Sequence, residues 1–300
     1  MLILIYGVTG VCGQAMARAA LNAGHQVRGL ARNPEKLVSD IASKLERFVK
    51  MKDLYDIPAL QEAVEGVDAI ISAANYTAGP VVDGQILLLR AAERAGVKIF
   101  HAASWNYDWT RINLGQCEMY DSYIAFRNHA RLSSPIKPIY GFTGAIVEYT
   151  FCYFPAANPI NKEARTYSHY GTGDEFENWT VLENVAAYAV QAVSEPNAAE
   201  GREYHVESFK STPRQLAQVY EEVRGIKLEL VSRGTAEDAD KLLETARAST
   251  PAYRFLEYGY LSYLGPALRG VFLHDSVDST HWGHIRQVGF KEWLQKNSDV

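Results

Sequence analysis

Glycine stands at positions 7, 10 and 13 of Gly7-Val-Thr-Gly-Val-Cys-Gly13, directly after the apolar run Leu2-Ile3-Leu4-Ile5-Tyr6. That spacing suits the binding of a diphosphate. The anion must come close to the backbone, and a Cβ at Gly7 or Gly10 would stand in its way. Residues Gln14 to Ala23 predict a helix, whose first N–H groups are unpaired and lie at its positive end. Gly7, Thr9, Gly10, Val11, Cys12 and Gly13 are therefore expected to hold a nucleotide. The alternative is a turn that needs glycine only for packing. Placement between a first strand and a first helix favours the nucleotide.

The end of the second predicted strand discriminates between dinucleotides. An acidic residue there would bind the ribose hydroxyls of NAD, whereas arginine accommodates the extra phosphate of NADP. The sequence reads Leu30-Ala31-Arg32-Asn33-Pro34-Glu35-Lys36, so Arg32 takes that position and Lys36 can add a second charge. Arginine's planar fork matches a phosphate with two parallel hydrogen bonds. NADP(H) is the cofactor expected. After the third strand, Asp53 next to Leu54 either accepts the adenine amino group or serves as a turn or capping aspartate. After the fourth, Ala73, Ala74 and Asn75 would let the chain pass close to the ribose and nicotinamide, and Ala103 follows the fifth.

These residues need strands that end where they begin. Strands are predicted over 2–6, 26–30, 46–50, 68–73 and 97–102, alternating with helices over 12–23, 33–43, 57–65 and 82–95. Repeated strand–helix–strand units imply a Rossmann-type, doubly wound parallel sheet of the α/β class, with ligands beyond the carboxyl ends of the strands. A sixth strand is expected over 137–144 after a helix at 120–133, and further helices at 181–194, 212–223, 235–248 and 290–296. The expected organisation is an NADP-binding domain over 1–150 and a smaller substrate-covering region over 151–300, with strands interleaved between them.

Composition is ordinary for a globular protein, at 47% hydrophobic and 22% charged. A net charge of −5 without a long basic run points away from nucleic acid and anionic membrane. The three cysteines, Cys12, Cys117 and Cys152, lack metal-like spacing and suit a reducing compartment. No apolar stretch approaches the roughly 20 residues that span a bilayer. The first strand begins at residue 2, leaving no room for a cleavable signal, so a cytoplasmic protein, monomer or homodimer, is expected.

The chain resembles the NmrA-like and isoflavone-reductase-like branch of the atypical short-chain dehydrogenase/reductases. The resemblance rests on Gly7 to Gly13, Arg32 to Lys36, Asp53-Leu54, Gly66-Val-Asp-Ala-Ile-Ile-Ser72, Gln85 and Ala91 to Lys98. Phe142-Thr143-Gly144 stands where the family tends to have Arg-Pro-Gly, which implies that Phe142 and Thr143 border the cofactor; Thr180 to Val185 resembles its Thr-x-x-Asp-Ile segment. The family's reductases place a lysine on the helix after strand five. Here that helix reads Tyr120-Asp-Ser-Tyr123-Ile-Ala-Phe-Arg127-Asn-His129, without lysine. Tyr123 and Arg127 keep the four-residue spacing of the wider superfamily's Tyr-x-x-x-Lys and share one helical face. On that pattern Tyr123 would supply a proton, Arg127 would lower its pKa, Ser104 would orient it, and Tyr120 is an equally placed spare. The plain alternative is a helix-surface pair beside a turn serine.

The aromatic loop Trp105, Asn106, Tyr107 follows a strand and is expected to shape a substrate pocket with Tyr149, Tyr153, His169 and Tyr170. No metal is expected: His281 and His284 have ligand-like spacing but no third ligand in sight. The function implied is NADPH-dependent reduction of a small aromatic or polyketide-like molecule. A redox sensor without turnover, or a non-redox isomerase, cyclase or dehydratase on the same fold, stays open.

Overall fold

In the computed structural model, residues 1–74, 79–153 and 158–300 are described. They fall into two units. The first comprises Met1–Trp105, Tyr120–Phe142 and Val185–Tyr204; the second comprises Asn106–Met119, Thr143–Asn184 and His205–Val300. The division is thus not a single cut near residue 150, because the chain returns to the first unit after leaving it.

Six strands build the centre of the first unit: β1 (Leu2–Tyr6), β2 (Gln26–Ala31), β3 (Arg47–Lys50), β4 (Ala69–Ser72), β5 (Ile99–His101) and β6 (Ile139–Phe142). The strand Arg202–His205 joins as the seventh, and the order from that edge is Arg202–His205, β6, β5, β4, β1, β2, β3. Every pairing from β6 to β3 is parallel. Parallel strands are covered on both faces, which is why Ile3, Leu4, Ile5, Ile70 and Ile71 are continuous apolar runs with 0% exposure. Each such side chain contributes about 1.5–3 kcal/mol by leaving water. The order reverses between β1 and β4, so the loops after those two strands border the crevice where such sheets bind ligands.

Two helices depart from the sequence reading. The one predicted over 33–43 is a 3₁₀ turn, Pro34–Lys36, and a short helix, Ser39–Ala42. Leu37 and Val38 between them are extended, so no hydrogen-bond ladder crosses the gap. The helix predicted from 82 begins as a wide π-type turn, Gly79–Gly84, and becomes regular over Gln85–Ala95.

The second unit holds two three-stranded sheets. One orders Ala145–Ile146, Glu177–Thr180 and Phe209–Ser211; the other orders Ile160–Asn161, Thr166–His169 and Glu229–Ser232. These strands have two to four residues, too few for periodicity to reveal. Its helices Pro213–Arg224 and Ala236–Ser249 both start at capping boxes, Thr212 with Gln215 and Thr235 with Asp238. Tyr258, between two 3₁₀ segments, and Leu261, in the second of them, pack against Leu243 of the second helix.

Candidate active site

Gly7 leaves β1 with φ +79°, its N–H donating to the Leu30 carbonyl at 2.8 Å. A Cβ on Gly7 would lie 2.7 Å from the Ala73 oxygen, and one on Gly13 only 2.1 Å from the Gly7 oxygen. Backbone-to-backbone packing, rather than room for a ligand, thus requires glycine at both positions. Gly13 holds the helix against the strand end and is itself buried. Gly10 is different: it is exposed, and its Cβ would meet nothing closer than 3.3 Å. It caps the helix Val11–Asn22, which has no side-chain cap and no acidic residue in its first turn. Such an end, with Thr9, Val11 and Cys12 half-exposed beside it, is ready for an anion.

Arg32 and Lys36 are exposed just after β2, and among the described residues neither has a carboxylate partner. Arg32 lies near enough to Tyr6 to favour its ionisation, but burial dominates and pushes that hydroxyl up to about 12. Asp53 accepts the Tyr55 N–H at 2.8 Å and so closes a local turn, while the cap of the next helix is Asp56. Leu54 packs towards Gly79. Ala73 prolongs β4 by donating to the Tyr6 carbonyl, and Ala74 follows half-exposed. Asn75 lies outside the described residues. The Ala103 N–H donates to Oε1 of wholly buried Gln85 at 2.9 Å, which pins the exit of β5. Phe142 and Thr143, expected to border the cofactor, both have 0% exposure.

The helix Glu118–Ser133 carries Tyr120, Tyr123 and Arg127 as spaced in the sequence, with the two tyrosine rings edge-on at 6.1 Å. Two expected partners are otherwise engaged. Arg127 donates to the Glu203 carboxylate through Nε at 3.0 Å and Nη2 at 2.6 Å, so its charge is partly neutralised. Ser104 is 1% exposed; its hydroxyl donates to the Ala102 carbonyl at 3.2 Å and accepts the Gly141 N–H at 2.8 Å. It ties β5 to β6. His101 is buried against Tyr204 and Ala102, and burial lowers its pKa to about 4.

Within the second unit lies a cavity of about 260 Å³. Asn106, Tyr107, Tyr149, His169 and Tyr170 line it as the sequence suggested. Trp105 does not: its ring stacks on His101 at 5.0 Å in the first unit. Tyr153 is 49% exposed outside the lining, meeting Tyr149 edge-on at 6.0 Å. Asn106 adopts φ +153°, a costly conformation for a residue with a side chain, and is held there by bonds to Tyr107 N and Thr143 N. The sequence reading missed Glu177 and Trp179, which alternate on one face of their strand and both line the cavity. Asn178, between them, points the other way and bonds both backbone groups of His274.

Glu177 is half-buried on the lining of this cavity. Burial, reinforced by the charge of Glu175, pushes its carboxyl up to about 7 against the opposing hydrogen bond from the Tyr107 hydroxyl. Burial and the same carboxyl push the hydroxyls of Tyr107 and Tyr167 upwards. Tyr107 is fixed from behind by stacking on Phe272 at 5.1 Å. Next to it Asp108 accepts from Thr110, Arg111 and His205; burial raises its carboxyl, but the bonds of His205 and Thr110 prevail and hold it down at about 2.

The sequence model of the NmrA-like family matches residues 1–248. The chain belongs to the NmrA-like family. No curated protein sequence matches it significantly. Solved structures share the NmrA-like chain's fold over nearly its whole length. A structure of isoflavone reductase superposes with a TM-score of 0.80 at 20% identity, covering 99% of both chains. The binary complex of leucoanthocyanidin reductase with NADPH from Vitis vinifera gives 0.78 at 18% identity, also over 99% of each. AtPrR2 with NADP⁺ and (+)-pinoresinol gives 0.75 at 19%, over 98% of this chain and 97% of its own. Among the described residues of this NmrA-like member no cluster of three histidine, cysteine or acidic side chains could hold a metal, and His281 and His284 are exposed. No described helix is long and apolar enough to cross a membrane.

Proposed function

We propose that this chain is an NADPH-dependent reductase acting on a carbonyl or conjugated carbon of a small aromatic or polyketide-like molecule. The observation that carries the reading is Arg32, an exposed guanidinium without a carboxylate partner among the described residues, beside a glycine turn and an uncapped helix end. That donor set fits a dinucleotide with a phosphate on its adenosine ribose. Gly7, Thr9, Gly10, Val11 and Cys12 would hold the diphosphate, and Arg32 with Lys36 the extra phosphate. Asp53 and Leu54 remain candidates for the adenine side, and Ala73, Ala74 and Ala103 for the nicotinamide side. When bound, NADPH supplies a hydride. Relatives of this fold that hold NADPH or NADP⁺ support the same choice. The aromatic cavity supports turnover of a small molecule. Tyr123 is the first candidate to give the proton and Tyr120 the second.

Titration with NADPH and NADH, followed by fluorescence, tests the cofactor. The Arg32→Glu variant should lose roughly 10–100-fold in NADPH affinity, the worth of a charge-assisted hydrogen-bond pair, with NADH little changed. Unchanged NADPH affinity would end the assignment. Phenolic ketones and enones should then consume NADPH, and full turnover in both Tyr123→Phe and Tyr120→Phe would remove tyrosine as proton donor. A second reading, NADP(H) sensing without turnover, is favoured by the missing lysine and by Glu203's hold on Arg127. Equal affinity for NADP⁺ and NADPH, with no substrate consumed, would select it.

A further inference from the structure

We propose that the cavity of the second unit binds a cationic amine carried on a flat apolar body, with the ammonium held by Glu177 among aromatic rings. Three observations converge. Glu177, half-buried, lines the cavity and, among the described residues, has no cationic partner; its hydrogen bond comes from the neutral Tyr107 hydroxyl. A partly desolvated carboxylate without a countercharge is costly, and a ligand cation is the countercharge that would relieve it. Secondly, Tyr107, Tyr167, Trp179 and Tyr263 line the same space. Aromatic faces attract a cation within about 6 Å and accept a flat ring equally well. Thirdly, the cavity holds a second carboxyl, Glu175. Although burial opposes it, the N–H groups of Thr172 and Gly173 keep that carboxyl ionised below its usual range.

The other titratable groups on the lining are His169 and Arg233, with three further tyrosines, Tyr149, Tyr170 and Tyr260. Arg233 is exposed, and His169 turns Nδ1 to the Tyr170 carbonyl at 3.1 Å. The two half-buried carboxyls therefore outnumber the one half-buried basic side chain, His169. Because Glu177 titrates near neutrality, a cation must displace its proton at pH 7, and affinity for the cation should rise with pH. As the substrate class of the proposed reductase this inference rests on that reading; as a binding site it does not, so binding is measured without NADPH.

Calorimetric titration of the full chain with tryptamine and with indole-3-ethanol compares a cation with a neutral molecule of the same shape. At pH 8 the amine should bind at least about tenfold more tightly, an advantage of about 1.4 kcal/mol. The advantage should shrink towards pH 5.5, and at pH 7 the heat should vary with buffer as a proton is released. Glu177→Gln should abolish the preference. Any pH dependence left in that variant comes from groups other than Glu177, so the difference between the two proteins isolates the carboxyl. Equal or tighter binding of the alcohol at pH 8, no binding of either, or a preference that survives Glu177→Gln overturns the proposal. Should Glu177→Gln not fold, the pH dependence and proton release of the unaltered chain still decide it. Failure here with NADPH bound normally leaves the reductase reading intact.

Discussion

Glu177 shows how one side chain can serve a site at the expense of the fold. Its carboxyl titrates near 7 when folded, against about 4.5 when unfolded, because burial opposes the charge. A raised pKa means that the folded state holds the proton more tightly. Its contribution is therefore present in full below about pH 4.5 and is lost as pH rises through 7. Glu177→Gln keeps the shape and removes the charge, so it should raise the melting temperature at pH 8, by on the order of 2 kcal/mol of stability, and change little at pH 5. Thermal melts at both values check this; equal shifts at the two would mean a solvated carboxyl. Nothing in the local sequence marked Glu177 for this position. The signal available was its alternation with Trp179, and a four-residue strand is too short for that to stand out.

At the scale of elements, the strand–turn–helix from Leu2 to Asn22 was legible because its period, its glycines and its order all agree. What the glycines are for was not. Gly13 looked like part of a phosphate cradle, whereas in the fold it lets the helix sit on the Gly7 carbonyl. Gly13→Ala forces a methyl to 2.1 Å from that oxygen, so the helix must move. The expected cost is about 1–3 kcal/mol of stability, with a parallel loss of NADPH affinity, read from urea midpoints and a binding titration. Gly10→Ala, with more room, should cost less. Wild-type stability in Gly13→Ala would contradict the packing argument. The helix after β5 teaches the converse lesson. Tyr123 and Arg127 are spaced as the superfamily pattern asks, but Arg127's partner is Glu203, 76 residues on, and no local pattern could reveal that.

For the molecule as a whole, buried histidines and carboxyls act in opposite directions as pH falls. His101 and His274 are both lowered to about 4 by burial, so the unfolded chain takes up protons first and stability falls between about pH 6.5 and 4. Glu177 gains stability from about 7 down to 4.5 and offsets one of the two. Below 4.5 that offset is complete, and Asp108, held at about 2, begins to lose its bonds to Thr110, Arg111 and His205 as pH falls through its own range. Urea midpoints should therefore fall gently from pH 6.5 to 4.5 and steeply below; a flat profile down to pH 4 would show that these groups are hydrated. The sequence by itself determined the sheet, most of its helices and the positions of the residues proposed to face a phosphate, because strand period, glycine and charge act over a few residues of chain. Tertiary structure alone decided which hydroxyls and charges are available. Ser104 is taken by Gly141, Arg127 by Glu203, and Glu177 is set apart in an aromatic cavity, since burial and countercharge come from segments far away in sequence.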